Sequence, residues 1–492
     1  LLQVGLLFSI FRWFGNLWPH YFGGSVVVTS AMVIYLLNSK MDNSAKITWM
    51  VVVAIAPVVG IPMFFYVKSN FGHNILRKRL LELEDQLRGW LPQSQKAVEQ
   101  LKALEPGAAS LAKYLYGRGG GFPVYQNTAM TYFPGGEAKF EELLRQLETA
   151  KKYIFLEYFI LAEGQLWSEL EKLLCAKAHE GVEVKIIFDD FGNIKRFRGE
   201  TIDRLRDAGV EVFIFNPVHE YVNRLYFNYR DHRKIACFDG DVAYTGGVNI
   251  ADEYANLIER FGYWKDSGVR LEGEGAWGLT ASFIHMCINI GGVMHNEHDY
   301  YRPHTPVRSE GFCQPFTDGP QNNPDNPAED VFLQMISSAH RFLYITTPYF
   351  IPDESVMRTL CIAGDGGVDV RLMLPGKPDH WYADWVAESY FGNLLAHGVK
   401  IYRYTPGFLH AKSIMVDREA AFVGSVNMDY RSFELHCECG VMVYGAPMIE
   451  SLLEDMDAIV DQSHLVTAEE WAKRSVVRRV LEPLLRLFAI WM

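Results

Sequence analysis

The sequence predicts an α/β protein of two similar lobes related by a pseudo-twofold axis and preceded by a transmembrane helical hairpin. Three observations predict this. Apolar, strand-like runs alternate with helix-patterned stretches, one polar motif occurs twice in register, and two long uncharged stretches lie within the first eighty residues.

At the amino-terminal end, residues 1–18 are apolar and aromatic, with Arg12 as their one charge. They read as an interfacial segment, with a third span as the alternative. Transmembrane helices are expected near 20–38 and 47–67; the second stretch is uncharged despite Pro57 and Pro62. A bilayer needs about twenty apolar residues, and prolines are tolerated in such helices. Lys68, Arg77, Lys78, Arg79 and Arg88 follow the second stretch, against Lys40 and Lys46 between the two, so both lobes should face the cytoplasm. Leu1 stands where an initiator methionine would, which points to a processed, trimmed or incomplete end.

Residues 81–120 read as a linker. Its Gly117-Arg-Gly-Gly-Gly121 run is expected to be a flexible connection and not a nucleotide loop, because no strand leads into it and no helix opens from it. The first lobe is placed at 121–310 and the second at 311–470. Helix patterns at 137–150 and 328–340 precede strand-like runs, Tyr153-Ile-Phe-Leu-Glu-Tyr158 in one half and Tyr344-Ile-Thr-Thr-Pro-Tyr349 in the other. Gly181-Val-Glu-Val and Gly209-Val-Glu-Val in the first half parallel Gly367-Val-Asp-Val and Gly398-Val-Lys-Ile in the second. Such alternation predicts a mixed, largely parallel sheet in each lobe, and the turn-rich residues 318–327 read as the connector. The tail at 471–492 mixes Arg478, Arg479 and Arg486 with apolar residues, which suits an amphipathic helix on a membrane surface or one docked on the lobes.

The repeated motif carries the chemistry. It reads His232-x-Lys234-x4-Asp239-x6-Gly246-Gly247-x-Asn249, and again, 178 positions on, His410-x-Lys412-x4-Asp417-x6-Gly424-Ser425-x-Asn427. At average residue frequencies one such match arises by chance in roughly one chain in ten thousand; two in register do not. A strand would put His and Lys on one face, and the Gly-x-x-Asn turn would bring backbone and amide donors close to a ligand. Two facing copies offer two imidazoles and two ammoniums, a set suited to attacking a bound phosphodiester. One neutral imidazole can be the nucleophile while the other donates a proton to the leaving alcohol. The lysines and asparagines would stabilise the phosphoryl oxygens, so no metal or other cofactor is expected.

Composition bounds the partners. A net charge of −12 argues against nucleic acid as the main partner, though Arg224, Arg230, Arg233 and Lys234 gather beside the first motif. The seven cysteines show no paired CxxC spacing and read as free thiols; Cys437-x-Cys439 suits strand packing better than zinc.

This constellation resembles the phospholipase D superfamily, whose signature is H-x-K-x4-D-x6-G-[SG]-x-N in duplicate. Within it, the uncharged stretches together with Tyr244-Thr-Gly-Gly-Val-Asn, Thr347-Pro-Tyr-Phe-Ile-Pro-Asp353 and Pro406-Gly-Phe-Leu-His-Ala-Lys412 resemble bacterial cardiolipin synthases from about residue 20 to 465. The resemblance implies that phosphatidyl transfer between two phosphatidylglycerols gives cardiolipin and glycerol, on a multi-pass protein of the bacterial plasma membrane. It implies a phosphohistidine on His232, with His410 as general acid and then base. It also implies that acidic residues downstream of each motif, Asp266 and Glu438, orient the histidines. Lys234, Lys412, Asn249, Asn427, Gly247 and Ser425 complete the expected site; Asp239 and Asp417 belong to it by motif, with bracing of the fold as their alternative role. Phe408 and Leu409 are candidate acyl-chain contacts. The alternative activities are a membrane phospholipase D giving phosphatidic acid and a non-catalytic scaffold. Oligomerisation is left open.

Overall fold

The computed structural model describes residues 18–39, 41, 43–68, 82, 85–217, 229–295, 298–322 and 326–489. Two mixed sheets face each other. The strands of the first half are β1 (Thr128–Phe133), β2 (Tyr153–Tyr158), β3 (Glu183–Asp189), β4 (Glu211–Phe215), β5 (Arg230–Asp231), β6 (Lys234–Phe238), β7 (Val242–Gly246), β8 (Tyr263–Lys265) and β9 (Gly268–Gly273). Seven of them form a sheet ordered β1-β9-β7-β6-β2-β3-β4. The second half holds β10 (Phe312–Asp318), β11 (Phe342–Thr346), β12 (Phe350–Ile351), β13 (Asp369–Pro375), β14 (Lys400–Tyr404), β15 (Gly407–Leu409), β16 (Ser413–Val416), β17 (Ala420–Gly424), β18 (Met428–Asp429), β19 (His436–Tyr444) and β20 (Ser463–Val466). Its sheet runs β10-β19-β17-β16-β11-β13-β14-β20, the same order with one added edge strand.

The expected largely parallel sheet is corrected by this topology. Along these two strand orders only β2-β3-β4 and β11-β13-β14 are parallel, where helices such as Gln165–His179 and Glu354–Asp365 make the crossovers. The motif strands β6 and β7, like β16 and β17, are joined by tight turns, which permit only antiparallel pairing.

Between the sheets runs the helix Ala276–Asn289, with every residue but Ile288 buried. A helix apolar on all sides has to be enclosed, and this one joins the two lobes into one core. Phe155, Ile235 and Phe283 share that core with Leu343, Ile414 and Val441.

Two other expectations change. The linker region holds helices Gln95–Leu104 and Pro106–Gly117, whose Leu101, Leu111 and Leu115 enter the main core. Their apolar stripes are too short to stand out in composition. At the amino-terminal end lie helices Trp18–Leu37, Asn43–Ile55 and Pro57–Lys68; among the described residues no helix is long and apolar enough to cross a membrane. The stretch read as one span over 47–67 breaks at Ala56, ahead of Pro57, whose ring lacks the N–H a continuous helix would use. Met32, Leu36, Trp49, Val53 and Phe64 make a small core of their own, while Val27, Ile34, Leu37, Ile47 and Ile55 are exposed. The expected interfacial segment lies, apart from Trp18, outside the described residues.

The tail helix Val476–Arg486 docks on the helix Trp381–Ala396. Its fully buried Glu482 takes Arg474 at 2.9 Å and Arg478 at 3.1 Å, and Arg478 also meets Glu388. Val476, Val477, Val480 and Leu484 point outward.

Candidate active site

The expected single strand carrying both His and Lys is corrected: each motif is a changeover between two strands. The chain into His232 forms β5, which pairs in parallel with the start of β19 in the other lobe, and the His232 N–H donates to Cys437 O at 2.9 Å. The chain into His410 forms β15, which pairs in parallel with β8, and the His410 N–H donates to Lys265 O at 2.6 Å. Each histidine then stands where the chain leaves the opposite lobe and enters its own sheet.

The same crossing governs the acids. His232 Nδ1 lies 2.9 Å from Glu438 Oε1 and 3.0 Å from Oε2, whereas His410 Nδ1 lies 2.6 Å from Asp266 Oδ2. With a carboxylate as acceptor, Nδ1 carries the proton and Nε2 keeps its lone pair for chemistry. Glu438 is held by the hydroxyls of Ser425 and Ser432, the latter at 2.8 Å. Asp266 accepts instead from the Ser267 N–H at 2.8 Å. A side chain at Gly247 would put Cβ 2.1 Å from Asp266 Oδ1, so the position that holds Ser425 in the second motif has no room for serine in the first.

Both histidines open onto one cavity of ≈ 610 Å³, shared with Asn249 and Asn427. Asn249 is fixed: its Oδ1 accepts from the Ile160 N–H at 3.0 Å and its Nδ2 donates to the Tyr254 hydroxyl at 2.9 Å. Asn427 keeps a buried Oδ1 without a hydrogen-bond partner. Aromatic rings surround the imidazoles: Phe159 stands 5.2 Å from His232, while Trp264, Tyr254 and Phe408 stand 5.3, 5.4 and 5.6 Å from His410. Phe408 therefore lines the cavity, as Leu409 does not.

The lysines do not line it. Lys234 and Lys412 are buried, and each ammonium donates to the carbonyl of its own motif's histidine. Burial pulls Lys234 down to about 8 and Lys412 to about 7. Burial and the lysines also hold His232 well below the ordinary imidazole range and His410 at about 4. Burial pushes Asp266 up, but His410 and Lys412 outweigh it and keep this carboxyl below its usual range. This environment favours neutral imidazoles, and an entering anion, by countering the lysines, would raise their proton affinity.

Asp239 and Asp417 sit elsewhere, a correction to their membership of the catalytic set. Asp239 accepts from the backbone N–H groups of Lys151, Lys152 and Tyr153, and Asp417 from those of His340, Arg341 and Phe342, all at 2.7–3.0 Å. Each ties the turn after its motif strand to the start of the neighbouring strand, at φ near +55°. Of the basic cluster, Arg230 lines the cavity, Arg233 turns to buried Glu157, and Arg224 lies outside the described residues.

Other cavity residues carried no signal in the motif: Arg196 and Arg260, both paired to Glu253, Asp379 with Tyr349, and above all His436. His436 was legible only as the place where the repeat fails, since the matching position holds Trp264. Ligand atoms of His232, His436 and Glu438 lie within 4.8 Å of one another, a set that could hold a metal ion. Glu438, however, already accepts from His232, Ser425 and Ser432, which fits an orienting carboxylate better than a ligand.

Comparison with known proteins finds relatives along most of the chain. The family model described as "Cardiolipin synthase, PLD-like domain" matches residues 143–259 and 332–460. A cardiolipin synthase of Oceanobacillus iheyensis is 34% identical over 475 residues, covering 94% of this chain and 96% of that protein. The major cardiolipin synthase of Bacillus subtilis is 33% identical, covering 93% and 95% respectively. Among solved structures, phosphatidylserine synthase of Haemophilus influenzae superposes with a TM-score of 0.55 at 15% identity, over 73% of this chain and 92% of that one, a likeness of fold.

Proposed function

The chain belongs to the cardiolipin synthase family with phospholipase D-like domains, and from that premise we propose that it moves a phosphatidyl group from one phosphatidylglycerol to another. The observation that carries this reading is the crossed pair of histidine–carboxylate couples opening on one cavity. His232 Nε2 attacks phosphorus and the bond to the headgroup glycerol oxygen breaks. His410 gives that oxygen its proton, so free glycerol leaves and phosphatidyl-His232 remains. The glycerol hydroxyl of a second phosphatidylglycerol then loses its proton to His410 and attacks phosphorus, releasing His232 and forming cardiolipin. His232 is the nucleophile by resemblance to the family, in which the first motif usually supplies it; His410, with Asp266 at 2.6 Å, carries the proton.

Lys234 and Lys412 act from behind the histidines as buried positive charges, while Asn249 and Asn427 face the phosphoryl group. The aromatic rings beside His410 give that side of the cavity an apolar surface suited to a lipid acceptor. We also propose that the kinked amino-terminal helices, with their exposed apolar side chains, attach the lobes to the cytoplasmic face of the plasma membrane, aided by the outward face of the tail helix.

Purified protein given phosphatidylglycerol alone tests the reaction. Cardiolipin and glycerol in equal amounts are expected; phosphatidic acid and glycerol would identify a hydrolase instead.

A further inference from the structure

The two halves of the site are near copies, and the ring beside each histidine differs between them. Two positions before Asp266 stands Trp264, whose ring lies 5.3 Å from His410; two positions before Glu438 stands His436, whose ring lies 5.3 Å from His232. Trp264 has one N–H and no acceptor; a neutral imidazole has one N–H and one lone pair.

His436 is 7% exposed and lines the cavity, yet neither ring nitrogen has a hydrogen-bond partner. Its Nδ1 lies 3.7 Å from Glu438 Oε1, beyond hydrogen-bond reach. Its place is fixed from behind by the backbone, because it opens β19 in register with Arg230 of β5, and Phe159 stacks beside it at 6.5 Å. Leaving a buried donor unpaired is unfavourable unless a ligand completes it. The group that comes to this side of the cavity is the one bonded to His232. In an in-line displacement the departing and arriving alcohols lie on the far side of phosphorus, toward His410. What stays beside His436 is the phosphoryl group itself.

We propose that His436 is a phosphoryl-binding residue, donating its ring N–H to a non-bridging oxygen of the phosphodiester held by His232. This rests on the transfer reading given above. Burial holds the imidazole neutral, down to about 3, so it serves as a donor without competing with His410 for the acid role. The bond would persist through the covalent intermediate, giving the nucleophile's half of the cavity a hold on phosphate that the other half lacks.

Two variants and one phosphate mimic test this. His436→Phe keeps an aromatic ring and removes both nitrogens, while His436→Asn keeps a side-chain N–H. Orthovanadate inhibition and the kcat and KM for phosphatidylglycerol are measured for each. In His436→Phe, kcat should fall about 100-fold, as when one oxyanion donor is removed, and the vanadate Ki should rise at least about tenfold. His436→Asn should recover most of both, and neither variant should shift the pH profile of kcat/KM, since His232 and Glu438 remain paired. If His436→Phe does not fold, His436→Leu takes its place. Wild-type vanadate affinity in the variant lacking the nitrogens would overturn the proposal, as would equal damage in His436→Asn. If the wild-type protein makes no cardiolipin but vanadate still separates the variants, the transfer reading fails and the phosphoryl contact stands.

Discussion

His232 and Glu438, 206 positions apart, form one hydrogen-bonded couple: Nδ1 of the first lobe lies 2.9 Å from Oε1 of the second. His410 and Asp266 repeat this in the opposite direction at 2.6 Å. Neither lobe therefore contains a complete histidine–carboxylate pair. The crossed strand pairs β5–β19 and β8–β15 put the acids beside the histidines, so inter-lobe packing and the proposed catalysis rest on the same contacts.

The crossing predicts which variants act as one unit. Asp266→Asn should lower kcat by about 10²–10⁴, the range for losing a histidine's orienting carboxylate. In combination with His410→Ala it should add almost nothing, whereas the double variant of Asp266 and His232 should be worse than Asp266→Asn alone only by the loss of the nucleophile. A double-mutant cycle on kcat/KM measures this. Additive effects of Asp266→Asn and His410→Ala would contradict the pairing.

The asymmetry between Gly247 and Ser425 gives a second expectation. Gly247→Ser forces Cβ to within 2.1 Å of Asp266 Oδ1, and this carboxylate must move off His410. A stability loss of about 1–3 kcal/mol is expected from overpacking, together with a fall in kcat of more than about tenfold if Asp266 is displaced. Ser425→Gly leaves Glu438 with Ser432 and His232 and should be the milder change. Thermal melts and steady-state rates of the two variants compare them.

Much of this site was legible because duplication leaves a register: His, Lys and Asn of both motifs share the offset of 178, and the two acids, 172 positions apart, head matching strands. The same symmetry hid what it could not express. Downstream order alone does not reveal that each acid crosses to the other lobe, since strand exchange between lobes leaves no local pattern. His436 escaped because it matches a tryptophan. The helices Gln95–Leu104 and Pro106–Gly117 were missed because each contributes only a few buried residues, and the break at Ala56 because hydropathy does not register the lost N–H of Pro57.

Acid acts on this protein partly through three buried histidines. Burial lowers His410 to about 4 and His436 to about 3 in the fold, and holds His232 well below its ordinary value. In the unfolded chain each takes a proton near 6.5. At these sites the unfolded state binds more protons, so their contribution to stability is lost as pH drops from about 6.5 toward 3; Asp189 and Asp429, raised by burial to about 7 and about 6, act in the opposite direction. The Tm of His436→Asn relative to wild type should therefore improve as pH falls through this range. A constant difference between the two would show that burial does not hold His436 neutral in the fold.

The docked tail makes the last prediction. Glu482 is fully buried, with Arg474 at 2.9 Å and Arg478 at 3.1 Å. Glu482→Ala removes the shared partner and leaves Arg474 beside the Trp471 ring and Arg478 on Glu388. Breaking a buried ion pair from one side costs about 3–5 kcal/mol locally, more than a short helix gains from packing a few side chains. The helix should therefore detach, with trypsin cutting at Arg478 and Arg479 far faster than in wild type. Turnover in detergent should be retained, because the arginines of the tail meet Glu388, Trp385 and Tyr390, which do not line the cavity. Intact resistance to trypsin would mean that the helix is held by its apolar contacts and not by Glu482.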